Sequence, residues 1–81
     1  MRRLTTAQKV ILLNLRATPE AHIRHLGGNC YTLSCAGIRS HGILIDPAVH
    51  CRTFRRFLRE GLIKLDKRVI GACRHTGYFI V

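Results

Sequence analysis

The sequence is short of acid: four Asp and Glu stand against fourteen Lys and Arg, a formal charge of +10 over 81 residues. So few carboxylates all but exclude a magnesium or calcium centre, which is built from several oxygen donors. Tryptophan is absent and only two tyrosines and three phenylalanines are present, too few for a platform on which single-stranded bases stack. Long apolar runs are also missing. Val10-Ile11-Leu12-Leu13 is cut by Asn14 and Arg16, well short of the ~20 residues of a membrane span. No small-residue cleavage site follows the basic start Met1-Arg2-Arg3, so the chain reads as soluble and cytoplasmic.

What is present is a hydrophobic fraction of 47%, enough to drive folding with the charge carried on top. The length suits one domain, residues 1–81. The surplus of positive charge points to an anionic partner.

Four cysteines, Cys30, Cys35, Cys51 and Cys73, raise two questions. Without an export signal, a reducing compartment argues against disulfides. A zinc reading would join them to His41, His50 and His75, but structural zinc sites usually show close pairs such as C-x2-C, whose short turn presents both ligands to one centre. Here the tight pairs are His50-Cys51 and Cys73-x-His75, and neither has that geometry. The cysteines therefore read as buried, inert thiols, with no metal and no cofactor expected.

Thr5-Thr6-Ala7-Gln8 has the form of a capping box and predicts a helix over 6–17, ended by Thr18-Pro19. Its apolar residues Ala7, Val10, Ile11, Leu13 and Leu15 predict a well-buried helix with Lys9 and Arg16 on the wet side. Residues 20–26 read as a helical turn or a loop. Period-two texture then predicts a hairpin of two strands, 30–35 and 38–45, joined at Ala36-Gly37. Asp46-Pro47 signals the start of a second helix running to about Glu60, with Gly61 as its left-handed stop. Residues 62–65 read as a strand, 67–77 as a loop or distorted hairpin, and 78–81 as a terminal strand. The expected class is α+β, in the order helix, strand, strand, helix, strand, strand.

At 100° per residue Arg52, Arg55, Arg56 and Arg59 share an arc of about 100°, opposite Cys51, Phe54, Phe57 and Leu58. Only Glu60 can pair locally with that row. The basic cluster continues through Lys64, Lys67, Arg68 and Arg74, and docking on phosphates would relieve its self-repulsion by releasing counterions.

The segment from Asp46 to Ile63, with Phe57 or Leu58 followed by Gly61-Leu62-Ile63, resembles the second half of a winged-helix domain, in which a recognition helix leads into a two-stranded wing. Small proteins of phages and other mobile elements are similar in this way. The resemblance implies a small winged-helix-like domain with 6–17 as its first helix and 64–81 as its wing. It further implies that Arg52, Arg55, Arg56 and Arg59 face DNA. Lys67, Arg68 and Arg74 would then contact phosphates or the minor groove, and Arg2, Arg3 and Lys9 would anchor the backbone. The chain departs from that family in residues 31–45, which read as strands where a positioning helix would stand.

The resulting expectation is a non-enzymatic binding protein with nucleic acid as partner, DNA ahead of RNA. The alternative is a phage-encoded inhibitor of host defence, of anti-CRISPR or anti-restriction type, that uses the same arginine face on an acidic host protein or nucleoprotein complex. A third reading, a small ribonuclease toxin with His41 or His50 as general acid and base, lacks a complete catalytic constellation.

Overall fold

The computed structural model describes residues 3–81; Arg2, one of the expected anchors, lies outside them. The order is α1 (Thr6–Ala17), β1 (His22–Gly27), β2 (Cys30–Ser34), β3 (Arg39–Ser40), β4 (Ile43–Leu44), β5 (Ala48–Val49), α2 (Cys51–Arg59), β6 (Ile63–Ile70) and β7 (Cys73–Ile80). The class is α+β. A five-stranded antiparallel sheet runs β5-β2-β1-β7-β6, and β3 and β4 form a separate small hairpin.

Helix α1 forms where its capping box sets it: Thr5 accepts from the Gln8 amide and Gln8 reaches back to the Thr5 amide. Its burial is less than the apolar count predicts. Leu12 and Leu15 are buried, whereas Val10 and Leu13 are more than half exposed, because only one narrow stripe of α1 meets the sheet, against β7. Helix α2 packs across β2 and β6, burying Thr53, Phe54 and Phe57. Gly61 ends it with φ +70°.

Register and alternation place Ile23, Leu33, Val49, Ile63 and Tyr78 on the helix side of the sheet. With Leu12, Leu15, Ala21, Phe54 and Phe57 they form the apolar core. Phe54 lies between Tyr31, stacked at 4.0 Å, and Tyr78, edge-on at 4.7 Å. The other face carries His22, Ser34, Gly77 and Phe79. Among the described residues, no helix is long and apolar enough to cross a membrane.

Four sequence expectations are corrected. Residues 20–26 hold a strand, β1, at the centre of the sheet; its inward residues on the second face are polar, so alternation gives no apolar signal there. Residues 30–35 and 38–45 do not pair with each other: β2 pairs with β1 and β5, while 39–44 fold back on themselves. That turn uses His41 (φ 51°) and Gly42 (φ 79°), both left-handed as a tight hairpin of the mirror-image type requires. Asp46-Pro47 does not open α2. The Pro47 carbonyl accepts from Leu33 N–H at 2.9 Å and Ala48–Val49 pair with β2, so strand pairing delays the helix until His50, whose Nδ1 caps it by accepting from the Arg52 amide. Residues 67–77 belong to a regular hairpin of two eight-residue strands turning at Gly71. Five strands thus separate the two helices, and the last hairpin is part of the main sheet.

Candidate nucleic-acid interface

Arg52, Arg55, Arg56 and Arg59 are brought together as their helical spacing predicts. With Arg3, Thr5, Gln8 and Glu60 they line one open depression of about 780 Å³ between α2 and the N-terminal end of α1. The four are not equivalent. Arg52, Arg55 and Arg59 are exposed, whereas the Arg56 side chain is only 15% exposed. Its Nε donates to Glu60 Oε2 at 2.8 Å, and its Nη1 donates to the Arg3 carbonyl and to Gln8 Oε1. Arg56 is therefore a tie between α2 and the start of α1. Because Glu60 is engaged by Arg56, no acid among the described residues forms an ion pair with Arg52, Arg55 or Arg59. Arg55 Nη2 reaches a neutral partner, Asn29 Oδ1, at 3.1 Å.

Arg52 sits in the first turn of α2, where a cation opposes the helix macrodipole. Neither helix has an acid in its first turn, so the start of α1, which borders the depression, also keeps its positive end uncompensated. A second hollow of about 440 Å³ next to the first is lined by Lys9 and Arg16, with Arg3, Arg56 and Glu60 shared. Arg16 was not among the expected contacts. The signal was available: Lys9 and Arg16 lie seven residues apart, two turns of one helix face.

The remaining expected residues divide. Lys67 and Arg74 lie on the helix-side face of the β6–β7 hairpin, both exposed, while alternation puts Lys64 and Arg68 on the opposite face. Arg68 is engaged there: its Nε pairs with Asp66 Oδ2 at 3.0 Å, its Nη1 donates to the Pro19 carbonyl, and its guanidinium lies 4.2 Å from the Phe79 ring centre. The Arg68 side-chain hydrogen bond holds the Asp66 carboxyl below its ordinary pKa, helped by the Lys67 amide. Lys64, Lys67 and Arg68 also line an edge strand, β6, where charge discourages pairing with another chain.

Of the catalytic candidates, His41 stands exposed at the β3–β4 turn and the Nδ1 of His50 is committed to capping α2. The cysteines are all free, as expected, but none is buried: Cys30 and Cys73 are exposed and Cys35 and Cys51 half-buried. The expectation of inert core thiols is corrected accordingly. Cys35 lies instead beside His22 and His75 on the second face of the sheet; the zinc reading of the sequence includes Cys35 and His75 and lacks His22. Burial lowers the His22 pKa and raises that of the Cys35 thiol.

The chain matches no protein-family model, no curated protein and no solved structure.

Proposed function

We propose that this protein binds nucleic acid, duplex DNA first, through the basic surface formed by α2 and the outer face of α1. The observation that carries the reading is the row Arg52, Arg55 and Arg59, exposed, on one helix face and without an acidic partner among the described residues. From first to last the row covers ~10 Å of helix, about three base-pair rises of 3.4 Å. Arg3, Lys9 and Arg16 extend the same basic surface around α1. The resemblance to a winged-helix domain retains a helix followed by a hairpin, with Lys67 and Arg74 on the hairpin's helix-side face. Lys64 and Arg68 belong to another surface and take no part. With neither Asn nor Gln on α2, any base readout rests on arginine against guanine or on duplex shape.

Phosphate neutralisation makes log Kobs fall against log salt with a slope of about −0.9 per contact, so the three α2 arginines alone contribute about −2.7. Titrating a labelled duplex at two or more salt concentrations with the native protein and an Arg52→Ala/Arg55→Ala/Arg59→Ala variant tests this. The variant is expected to bind weakly and to lose about that much slope. Absence of binding at low salt, or an unchanged slope in the variant, overturns the reading.

A further inference from the structure

On the face of the sheet away from the helices, three adjacent strands deliver one metal-ligating side chain each to a common point. His22 opens β1, Cys35 follows directly on the end of β2, and His75 lies in β7. One ligand atom of each lies within 4.8 Å of the other two. Together they line a hollow of about 330 Å³ with Arg24 and Asp46, roofed by Leu44 and Ile45 at the end of the small hairpin. We infer that this cluster is a zinc site.

Several independent features fit that assignment. His22, 1% exposed, has its Nδ1 2.8 Å from the Glu20 carbonyl. With that nitrogen as the donor, the proton is fixed on Nδ1 and the lone pair of Nε2 is left for a metal, the outer-shell arrangement common to metal-ligating histidines. The ring stacks on Phe79 at 4.7 Å with 29° between the planes, and 5.5 Å separates its centre from that of the His75 imidazole. It can do so because residue 77 is glycine: a Cβ there would run into the His22 Cδ2 and crowd the Ile23 carbonyl. Cys35 takes a left-handed backbone, φ 58°, a conformation strained for a non-glycine residue that tends to persist where a side chain has a task.

The donor set, two imidazoles and a thiol, suits Zn²⁺ and not the hard cations magnesium or calcium. In tetrahedral coordination the ligand atoms would stand about 3.4–3.6 Å apart, a closure of at most about 1.4 Å from the 4.8 Å within which they now lie. Binding replaces the Cys35 S–H by an S–Zn bond and releases the proton to solvent. The fourth position falls to water. Such a site would fasten Cys35, from which the segment carrying the β3–β4 hairpin departs, to the centre of the sheet. No C-x2-C pair announces it, because the ligands are paired by strand register and not by a short turn.

The test uses the full chain, reduced and freed of metal, titrated with Co²⁺ and then with Zn²⁺. One Co²⁺ per chain is expected, with the visible band intensities of a tetrahedral centre and a thiolate-to-cobalt absorption in the near ultraviolet, both removed by Zn²⁺. Cys35→Ser should abolish the thiolate band, and Cys35→Ser or His75→Gln should weaken binding at least tenfold. Cys51→Ser and Cys73→Ser should leave stoichiometry and spectrum unchanged. A thiolate band that survives Cys35→Ser, or depends on Cys51 or Cys73, overturns the site. A measurement on the native chain guards against variants that fail to fold: Zn²⁺ should slow alkylation of Cys35 while the exposed Cys30 and Cys73 react as before, and equal Cys35 labelling with and without Zn²⁺ overturns it as well.

Discussion

On the helix side of the sheet, Ile23, Leu33, Val49 and Ile63 meet Leu15, Phe54 and Phe57. On the other side His22 and Phe79 are no less buried, at 1% and 0% exposure, yet what touches them is a guanidinium, a backbone carbonyl and a second imidazole. The first face excludes water with carbon alone and needs little geometric precision beyond volume. The second excludes water with polar groups whose hydrogen bonds must all be met. The difference separates what stabilises this small domain from what can bind a ligand within it.

Breaking the carbon side should have the largest effect. Phe57, fully buried between α2 and the sheet, should cost about 3–5 kcal/mol on change to Ala. That is a large part of the roughly 4–12 kcal/mol available to a chain of this length, and denaturant unfolding should show a low or vanished midpoint. On the polar side, Gly77→Ala should cost about 1–3 kcal/mol by overpacking against His22. Unlike Phe57→Ala, it should remove Co²⁺ and Zn²⁺ binding in the protein that remains folded. Metal binding equal to the native chain's in Gly77→Ala would show that the His22 ring position is not the determinant.

The two faces were not equally legible in the sequence. Helix α1 was readable to its ends because a capping box and a proline act locally, and the arginine face of α2 because helical spacing is a local rule. The same periodicity finds Phe54 and Phe57 in the core of α2, while Leu58 is exposed, Cys51 half-buried and Thr53 buried outside the expected arc. Strand β1 was not readable: its alternation sets Ile23 against His22 and Arg24, and a strand whose second face is polar carries only half of the usual pattern. The early start assigned to α2 failed because Asp46-Pro47 is a sound cap signal that a non-local event, pairing of residues 47–49 with β2, overrides. Arg56 differs from its neighbours through non-local contacts, with Gln8 and the Arg3 carbonyl, that helical spacing does not encode. The gathering of His22, Cys35 and His75 depends on two strand registers, β2 on β1 and β1 on β7, and has no local trace.

Within the arginine row the comparison becomes finer. Arg56→Ala removes the ties to Glu60, Gln8 and the Arg3 carbonyl and should cost about 1–2 kcal/mol. Each of Arg52→Ala, Arg55→Ala and Arg59→Ala should leave stability within about 0.5 kcal/mol while lowering the salt slope of DNA binding by about 0.9. Thermal unfolding and salt titration of the four single variants separate the roles. An Arg56 variant of native stability, or an Arg55 variant as destabilised as Arg56→Ala, would erase the distinction drawn between them.

The smallest effect expected is electrostatic and belongs to the second face. Asp66 pairs with Arg68, which covers Phe79, and the pair holds the Asp66 carboxyl below its ordinary value of 3.8. A carboxyl whose pKa is lower in the folded than in the unfolded chain binds its proton first when unfolded. Its stabilising contribution is therefore complete above that ordinary value and fades as pH falls through it and on towards the folded-state pKa. The native chain should melt slightly above Asp66→Asn near neutrality, and the gap should close as the pH is lowered past the ordinary carboxylate range. Added salt should narrow it further, since both partners are partly exposed. No gap at neutrality would mean that Asp66 acts through its shape and its bond to the Lys67 amide, which asparagine can imitate, and a gap that holds constant or widens on acidification would mean that its charge on Arg68 is not the source.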